Sequence, residues 1–475
     1  MRTQLFLGGT WRDGSNGDQF PVTNPSTGEE ICQVASGTPS DVAAAVDAAA
    51  AAQGPWAATP PRERAEILRA MWETMMSHQE ELASLITTEH GKPLIDSRGE
   101  VAYAAEFFRW NSEEAVRLRG SVGLAPSGAN QILVHHPPVG VVVMVTPWNF
   151  PAAMITRKLA PALAAGNGVV IKPPKETPLT ALRIAELLSE VGVPDGLVNV
   201  VPTTSAGAWY DAAVAQKATR MVSFTGSTEV GRTLLKGAAD RVLKVAMELG
   251  GNAPFIVFND ADLEAAVEGA MVAKMRHSAE TCTAANRFFV ERGVADQFTE
   301  MLGAAMAAVK IGDGFDDGVT LGPMVNPAAI ESIGALVSAA VDEGASVVTG
   351  GTTLDRPGYF YNATVLGNVQ PTASITQEEI FGPVAPVVPF DDTDQMIAHA
   401  NNTEMGLAAY VFTEDLGRGL NVAQRLESGM VGLNRGAISD PAAPFGGMKQ
   451  SGLGREGASE GIYEFCETQY IATSW

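Results

Sequence analysis

Residues 139–151 read Val-Gly-Val-Val-Val-Met-Val-Thr-Pro-Trp-Asn-Phe-Pro and decide how the chain is organised. The run from Val139 to Thr146 is β-branched and almost wholly apolar, which is typical of a strand covered on both faces. Pro151 then stands in the first turn of a predicted helix that extends to Ala165. A buried strand followed directly by a helix is the first half of a βαβ unit, and it predicts a parallel sheet.

The same alternation continues towards the C-terminus. Further strands are predicted at 169–172, 197–201, 220–225 and 242–248, and helices at 177–191 and 227–239. A second set follows the Leu-Gly-Gly hinge at 249–251, with strands at 253–258, 384–390, 408–413 and 429–433 and a helix at 261–275. Two such sets predict an α/β fold with two doubly wound parallel-sheet domains, of which the first is a nucleotide-binding layer.

The remaining segments complete the predicted domain organisation. The first, cofactor-binding domain comprises 1–117 and 138–249, and the second, catalytic domain comprises 250–436. Within the first, 63–89 has apolar residues at helical spacing and predicts one long helix, and Ser40 is predicted to cap an earlier helix. Residues 118–137 and 456–475 look like a β-ribbon and a tail that neither sheet needs. Exposed strands of this kind often pair between subunits, so we predict an oligomerisation element.

Composition excludes several classes of partner. The 475 residues carry 32 Lys and Arg against 54 Asp and Glu, a net charge of −22. That charge argues against nucleic acid and anionic membranes, which need a basic face, and it means that an anionic substrate needs a local cationic pocket. The longest apolar run, 139–145, is too short to span a bilayer, and 1–16 has no pattern of a signal peptide. Three cysteines form no disulfide framework, so we expect a reducing cytoplasm.

Two residues are candidates for catalysis. Cys282 lies among small residues, in Ala-Glu-Thr-Cys-Thr-Ala-Ala-Asn-Arg, which lets a substrate carbon approach the thiol. The alternative is a buried, inert cysteine. Glu248 ends a predicted strand and is followed by glycines, so its carboxylate is free to move, and burial would raise its pKa towards that of a general base. The alternative is a salt-bridged or solvated strand end.

Candidate cofactor contacts follow two strands. Residues 224–231, Phe-Thr-Gly-Ser-Thr-Glu-Val-Gly, form a strand, a glycine turn and a helix start, whose free N–H groups can hold a phosphate. The usual Gly-x-Gly-x-x-Gly and Walker motifs are absent, so a plain strand-to-helix turn stays possible. Lys172 and Lys175 directly follow another strand, at a position where their cations could bind ribose hydroxyls or a phosphate. The alternative is that both lysines lie in a solvated loop.

Two other chemistries lack support in the sequence. The six histidines have no metal-ligand spacing, and the cysteines form no Cys-x-x-Cys pair, so no metal site is predicted. No Gly-x-Ser-x-Gly segment indicates a serine nucleophile either.

Seven segments, taken in order, resemble the aldehyde dehydrogenase superfamily over nearly the whole chain. They are Thr-Pro-Trp-Asn-Phe-Pro (146–151), Lys-Pro-x-x-x-Thr-Pro (172–178), Phe-Thr-Gly-Ser-Thr-Glu-Val-Gly (224–231), Glu-Leu-Gly-Gly-Asn (248–252), the Cys282 segment, Glu-Glu-Ile-Phe-Gly-Pro-Val (378–384) and Pro-Phe-Gly-Gly-Met-Lys-x-Ser-Gly (444–452). Each segment alone is weak, whereas seven in register are highly specific.

The resemblance implies a role for each matching residue. Cys282 would be the nucleophile, as a thiolate, Asn149 and the Cys282 backbone N–H would hold the oxyanion, and Glu248 would activate water. Lys172 and Glu379 would hold ribose hydroxyls, Ser227 would meet the pyrophosphate, and Phe381 would pack near the nicotinamide ribose. The predicted cofactor-binding set is Thr146, Pro147, Trp148, Lys172, Lys175, Gly226, Ser227, Glu379 and Phe381. The family also implies a homodimer or homotetramer.

Within the superfamily the chain is most similar to the succinate-semialdehyde dehydrogenases. The similarity lies in 149–158, in Ala-Asn-Arg (285–287) and in 438–447. It implies that Arg157, Arg287 and Ser439 grip the distal carboxylate of the aldehyde, because arginine forms bidentate bonds to carboxylates. The alternative for both arginines is a structural ion pair. Alternative substrates are 2-oxoglutarate semialdehyde, glutarate semialdehyde or a neutral aldehyde. A different alternative is that the protein is a non-catalytic structural relative of these enzymes.

Residue 175 bears on the choice of cofactor. Family members that prefer NAD often have Glu at this position, where it binds the 2′-hydroxyl and repels a 2′-phosphate. Lys175 would instead attract that phosphate. We therefore expect NADP to be favoured, with NAD as the weaker alternative.

Three positions depart from the subfamily pattern. Glu280 replaces the usual Gln, and a carboxylate there would raise the pKa of Cys282 or form a different hydrogen bond. Ala284 replaces a second cysteine, so a local disulfide is impossible, and Cys32 or Cys466 would have to serve instead. Arg435 replaces a threonine and would add positive charge near the pocket or point to solvent.

Overall fold

Two large sheets organise residues 1–474, the part of the chain that a computed structural model describes; residue 475, the end of the predicted tail, lies outside the described residues. The strands are β1 (Leu5–Leu7), β2 (Thr10–Arg12), β3 (Gln19–Thr23), β4 (Glu30–Ala35), β5 (Ser121–Leu124), β6 (Gln131–His135), β7 (Val141–Val145), β8 (Gly168–Lys172), β9 (Val198–Val200), β10 (Thr219–Thr225), β11 (Lys244–Glu248), β12 (Ala253–Val257), β13 (Ala285–Glu291), β14 (Ser346–Thr349), β15 (Thr364–Gly367), β16 (Val384–Phe390), β17 (Met405–Gly406), β18 (Ala408–Phe412), β19 (Met430–Leu433), β20 (Met448–Lys449), β21 (Gly452–Leu453) and β22 (Gln469–Thr473).

Helices connect and cover these strands. They are α1 (Pro39–Ala58), α2 (Pro61–Ser77), α3 (Gln79–His90), α4 (Leu94–Ala115), α5 (Ala153–Ala165), α6 (Pro178–Glu190), α7 (Ala206–Ala215), α8 (Thr228–Ala239), α9 (Leu263–Met275), α10 (Arg292–Ala307), α11 (Pro327–Asp342), α12 (Thr393–Asn401), α13 (Leu416–Arg425) and α14 (Gly461–Glu464). Within the described residues, no helix combines the length and the apolar character needed to cross a membrane.

The first large sheet has the order β2-β1-β9-β8-β7-β10-β11-β21. Its centre is parallel, with β7 between β8 and β10. The apolar run at 139–146 therefore forms a central strand of this sheet. The strands at both edges, β2, β1 and β21, pair in antiparallel fashion. The predicted α/β fold is confirmed, with antiparallel edges added to a parallel core.

The second large sheet has the order β14-β15-β16-β13-β12-β18-β19 and is parallel apart from β14. Only four residues, 249–252, separate β11 of the first sheet from β12 of the second. Glu248 therefore ends a strand of one sheet directly before the other sheet begins. The division into domains at 117, 138, 249 and 436 stays a prediction.

A small three-stranded sheet lies outside both layers. In it β6 pairs with β5 and with β22, so the C-terminal segment joins the ribbon formed by β5 and β6. Its apolar side chains are unusually exposed: Val122 is 70%, Leu124 62% and Tyr470 56% accessible to solvent. Exposed apolar strands of this kind favour pairing with another chain.

The structure corrects two helix predictions. The predicted helix over 63–89 is two helices, α2 and α3, separated at His78, whose backbone (φ −104°, ψ 20°) leaves the helical region. The His78 ring lies 2.9 Å from the Thr74 carbonyl and helps to end α2 there, which apolar periodicity does not reveal. The N-cap of α1 is Thr38, not Ser40, because Thr38 and Asp41 form a reciprocal capping box.

Helix α5 is buried over its whole length, between the first sheet and α4. Its two basic residues, Arg157 and Lys158, are almost fully inaccessible to solvent and share one carboxylate, that of Glu456. A buried cation needs such a partner or hydrogen bonds to offset the cost of leaving water. The packing therefore fixes Arg157 in the interior at the point where the two sheets meet.

Candidate active site

Cys282 lies in a tight turn directly before β13. The turn is closed by the Ala284 N–H, which donates to the Thr281 carbonyl over 2.9 Å. Across the turn, a side-chain carbon on Gly251 would come within 2.3 Å of the Cys282 carbonyl oxygen, so only glycine fits there. Cys282 as a whole residue is half-buried. The Leu-Gly-Gly segment thus serves as the surface on which the cysteine turn packs.

The chain reaches this turn through an unusual backbone segment. His277, Ser278 and Ala279 have consecutive φ values of +51°, +58° and +64°, although none is glycine. A left-handed non-glycine residue costs about 1–2 kcal/mol, so the segment persists only because its surroundings hold it. The His277 N–H donates to Asp96, and Ser278 Oγ accepts the Gly322 N–H. Strain stored directly before a partly exposed cysteine is typical of a functional site.

Two cavities meet at Cys282. The first, about 260 Å³, is lined by Ile95, Asp96, Gly99, Glu100, Tyr103, Phe150, Met154, Arg157, Arg276, His277, Thr281, Cys282, Thr283, Ser439 and Phe445. The second, about 190 Å³, is lined by Pro147, Trp148, Asn149, Met154, Thr225, Gly226, Ser227, Leu249, Gly250, Cys282, Glu379 and Phe381. Only Cys282 and Met154 line both. Cys282 therefore lies at the boundary between the two cavities.

Asn149 and the Cys282 backbone supply hydrogen-bond donors near the sulfur. Asn149 Nδ2 donates one proton to the Glu280 carbonyl over 2.8 Å, and within residues 1–474 its second N–H has no protein acceptor. The Cys282 N–H likewise makes no hydrogen bond to another residue in this part of the chain. Two free donors beside a nucleophile are the elements of an oxyanion hole.

A buried ion pair fixes the backbone of Asn149. Lys92 Nζ donates to the Asn149 carbonyl over 2.5 Å and to Glu100 over 2.7 Å. Glu100 also accepts the N–H groups of Ala152 and Ala153 at the start of α5. Charge-assisted bonds of this kind are strong in a dry interior, so the position of Asn149 is tightly set.

Glu248 is buried next to the cysteine and does not line either cavity in this conformation. Its Oε2 has no hydrogen-bond partner within the described residues. Burial and the nearby Glu456 raise the pKa of Glu248 well above its ordinary value, although Arg157 and Lys158 act in the opposite direction. A carboxylate with raised pKa and a free oxygen is suited to act as a general base.

The thiol of Cys282 is held in its neutral form. Burial raises its pKa to about 12, while Arg157 lowers it and Glu379 and Glu248 raise it further. The reactive species of a cysteine is the thiolate, so the protein without ligands is expected to react slowly at neutral pH.

This shift predicts a steep pH dependence of alkylation. Because the pKa lies near 12, the thiolate fraction of Cys282, and with it the rate of alkylation by iodoacetamide, should rise about tenfold per pH unit from 7 to 10. A cysteine with an ordinary pKa near 8.5 levels off above about pH 9. Mass spectrometry of the Cys282 peptide measures the rate, and a plateau by pH 9 would contradict the prediction.

The first cavity is lined by two arginines, as well as by the acidic Asp96 and Glu100. Arg157 and Ser439, both predicted, line it, together with Tyr103 and Arg276, which were not predicted. Arg157 pairs with Glu456 and lies over the Phe445 ring, with 3.9 Å between guanidinium carbon and ring centre. The side chain of Arg276 has neither a hydrogen bond nor an ion pair within residues 1–474, and its Nε is buried. Arg276 is therefore the cation with donors left for an anionic ligand.

The structure does not bring the predicted Arg287 into this group. Its guanidinium is buried and donates to three backbone carbonyls, those of Asn252, His399 and Ala400. Two of these carbonyls belong to α12 and the third to the segment between β11 and β12, so the guanidinium lies outside the cavity. Arg276, six residues before the cysteine, is a second arginine that lines the cavity besides Arg157.

The second cavity has the features of a cofactor site. Gly226 and Ser227 lie at the N-terminus of α8, where Ser227 is the N-cap. Phe381 and Trp148 meet edge to face with ring centres 5.4 Å apart. Glu379 accepts the Gly251 N–H over 3.0 Å, and burial raises its pKa to about 7. Pro147, Trp148, Gly226, Ser227, Glu379 and Phe381 are thus brought together as predicted.

Three other predicted cofactor residues lie outside this cavity. Thr146 is buried, with an Oγ that has no partner in the described part of the chain. Lys172 Nζ is buried and donates to the Pro173 carbonyl over 3.2 Å. Lys175 is exposed, with Glu176 4.0 Å away. Their roles stay predictions.

Two departures from the family pattern are resolved by the structure. Arg435 is exposed and donates to the Ala437 carbonyl, so it does not add charge to the first cavity. The Glu280 carboxyl does not perturb the thiol but points towards Val325 and His90. All three cysteines are unpaired, and within residues 1–474 no group of three His, Cys, Asp or Glu is placed to hold a metal ion.

Known proteins show a consistent similarity to this chain. The sequence model of the aldehyde dehydrogenase family matches residues 11–471. A succinate-semialdehyde dehydrogenase of Paenarthrobacter nicotinovorans is 54% identical over 93% of this chain and 98% of the relative. The Escherichia coli succinate-semialdehyde dehydrogenase [NADP(+)] GabD is 47% identical (99% and 98%), and a glutarate-semialdehyde dehydrogenase of Pseudomonas putida is 46% identical (100% and 98%). A crystal structure of an E. coli NADP-dependent enzyme superposes with a TM-score of 0.98 at 46% identity, covering 100% of this chain and 98% of that one.

Proposed function

The chain belongs to the aldehyde dehydrogenase family, and we propose that it oxidises succinate semialdehyde to succinate with NADP as its preferred cofactor. Family membership makes the protein an oxidoreductase that acts on aldehydes. One observation carries the finer proposal: the Cys282 sulfur lies between a cavity with a free arginine and a cavity at the start of α8.

The residues of the second cavity fit a dinucleotide. The helix start at Gly226 and Ser227 leaves N–H groups for a pyrophosphate, and Glu379 offers an oxygen for ribose hydroxyls. Lys172 and Lys175 follow β8, on the same edge of the first sheet as Gly226. When bound, the nicotinamide ring of such a cofactor accepts a hydride from the substrate carbon.

The chain's own groups carry the covalent steps. The Cys282 thiolate attacks the aldehyde carbon, and the carbonyl oxygen becomes an oxyanion between Asn149 Nδ2 and the Cys282 N–H. Loss of hydride from that carbon leaves a thioester on Cys282. Glu248 then takes a proton from water, whose oxygen attacks the thioester carbon and releases the carboxylic acid and the thiolate. The raised pKa of Glu248 makes its ionised form a stronger base.

The first cavity favours an aldehyde with a distal carboxylate. Arg276 has unused donors, and Tyr103 Oη has no hydrogen-bond partner in residues 1–474. Together with Ser439 and Arg157 they offer a carboxylate several charge-assisted bonds. A protein of net charge −22 needs such a local attraction to hold an anion.

Glutarate semialdehyde is the second candidate substrate. Relatives with that name are 46% identical to this chain, and the acid is one carbon longer. One methylene in a pocket discriminates by only about 10–200-fold, so overlapping activity is expected.

A substrate panel tests the proposal. Steady-state kinetics with butanal, pentanal, succinate semialdehyde and glutarate semialdehyde, each with NADP and with NAD, should give the highest kcat/KM for succinate semialdehyde with NADP. A higher value for glutarate semialdehyde would select the second candidate. Preference for butanal would overturn the carboxylate site, and no reduction of either cofactor with any aldehyde would indicate a non-catalytic relative.

Exchanging Lys175 for glutamate should change cofactor preference. The Lys175 ammonium is 64% exposed and is free to meet a 2′-phosphate, which Glu would repel while binding a 2′-hydroxyl. We expect Lys175→Glu to lower the ratio of kcat/KM for NADP over NAD by about tenfold or more. Lys217→Glu makes the same charge change elsewhere on the first domain and should leave the ratio unchanged; equal ratios for Lys175→Glu and wild type would refute the assignment.

We also propose that the protein is a homodimer or homotetramer that works in the cytoplasm. The exposed apolar strands β5 and β22 support pairing between copies. Three unpaired cysteines agree with a reducing compartment. Sedimentation of the purified protein tests the oligomeric state.

A further inference from the structure

Glu280 is a buried carboxyl group that the proposed reaction does not use. Its side chain is fully inaccessible to solvent, with Oε1 accepting the Val325 N–H over 3.0 Å. Oε2 lies 3.7 Å from Nε2 of His90, which is equally buried. Within residues 1–474 neither Oε2 nor the two ring nitrogens of His90 have a hydrogen-bond partner. The acid and the imidazole therefore face each other without a hydrogen bond between them, and Lys92 is a charged group that acts on both.

The backbone carbonyl of Glu280 binds Asn149, the proposed oxyanion donor. The Glu280 carbonyl accepts Nδ2–H of Asn149 over 2.8 Å, and Glu280 stands two residues before Cys282. On its N-terminal side lie the three left-handed residues 277–279, whose conformation is not favoured by the backbone itself. The Glu280 carboxyl thus holds the chain in place between the left-handed segment 277–279 and the turn that contains Cys282.

We propose that Glu280 is a positioning residue whose carboxyl, by accepting the Val325 N–H and lying against His90, holds its own carbonyl against Asn149 and so keeps the oxyanion hole in place. The proposal rests on the proposed roles of Asn149 and Cys282. It assigns no contact with substrate to Glu280, because the carboxyl points away from both cavities.

The carboxyl acts in this position as a neutral acid. The charged and titratable groups around the pair are Lys92, which faces Glu280 and His90, Glu100, which pairs with Lys92, and His277, which faces His90. Burial raises the pKa of Glu280 well above its ordinary value, and it lowers the pKa of His90. The acid O–H therefore faces a neutral imidazole nitrogen across 3.7 Å, and removal of its proton at alkaline pH would place an unpaired charge in this buried site.

Two reagents separate the oxyanion hole from the thiol. p-Nitrophenyl acetate acylates Cys282 through an oxyanion and releases p-nitrophenol, whereas iodoacetamide alkylates the sulfur by displacing iodide and forms no oxyanion. Both rates contain the same thiolate fraction, so their ratio reports the oxyanion hole alone. We expect Glu280→Ala to lower the ratio about tenfold or more at pH 7.5, because losing one oxyanion donor costs about 10²–10³-fold.

The conservative variant and a matched control complete the test. Glu280→Gln keeps an acceptor for Val325 and a donor for His90, so its ratio should stay within twofold of wild type and, unlike the wild-type ratio, should not fall at alkaline pH. Glu114→Ala removes another buried carboxyl, one that lies outside both cavities and pairs with Arg117, and should leave the ratio unchanged. An unchanged ratio in Glu280→Ala, or equal loss in Glu280→Gln, would overturn the proposal.

The outcome is independent of the proposed substrate. If wild-type protein oxidises no aldehyde, the proposed function fails, whereas the ratio of the two reagent rates can still be measured. If wild-type protein is active and the ratio in Glu280→Ala is normal, only the positioning role fails.

Discussion

Replacing Cys282 with serine should reduce the rate of aldehyde oxidation about 10³-fold or more. A serine hydroxyl is a far weaker nucleophile than a thiolate. Serine has nearly the same shape, so the turn closed by Thr281 and Ala284 should persist. NADPH formation measured with succinate semialdehyde gives kcat, and quenching of tryptophan fluorescence gives the affinity for NADP.

Two results would distinguish loss of chemistry from loss of structure. Cys282→Ser should bind NADP with wild-type affinity, because the α8 side of the second cavity is untouched. Cys32→Ser, which changes another partly exposed thiol far from both cavities, should retain full activity. Normal turnover by Cys282→Ser would contradict the whole mechanism, since no other cysteine lines either cavity.

The fold could be predicted largely because burial leaves a strong pattern. The strand β7 is apolar on both faces since it lies at the centre of a parallel sheet, and this is what 139–146 displays. The sequence pattern does not reveal the break between α2 and α3, because the apolar spacing continues through His78 while the helical backbone conformation ends there. The short edge strand β21 was also missed: two residues carry no periodicity, and their pairing with β11 is purely tertiary.

The candidate site was less evident from residue patterns. Taken alone, Cys282 and Glu248 looked no different from a buried thiol and a strand end, and only seven family motifs in register gave them roles. The two arginines near Cys282 show what the sequence could not reveal about the site. Arg287 and Arg276 are nearly equidistant from Cys282 in sequence, but β13 turns one into the interior while the left-handed segment brings the other to the cavity. No sequence pattern announces three consecutive left-handed residues that are not glycine.

Replacing Arg276 with glutamine should make the enzyme lose its preference for carboxylated aldehydes. Breaking a buried, charge-assisted pair costs about 2–5 kcal/mol, so kcat/KM for succinate semialdehyde should fall on the order of 10²-fold. Butanal has no carboxylate and should keep its kcat/KM within a few-fold. Arg276 is the sensitive position because Arg157 is already paired with Glu456, whereas Arg276 has no partner in the part of the chain that the structure describes.

Arg435→Gln is the matched control for this variant, since it removes an exposed arginine that does not line the first cavity. Arg435→Gln should leave kcat/KM for succinate semialdehyde and for butanal unchanged. Equal losses for succinate semialdehyde and butanal in Arg276→Gln would mean that the arginine supports the strained loop rather than the carboxylate. A loss confined to the carboxylated aldehyde would instead show that a single cation without an ion-pair partner, placed by the backbone of 277–279, selects the substrate in a protein whose overall charge repels it.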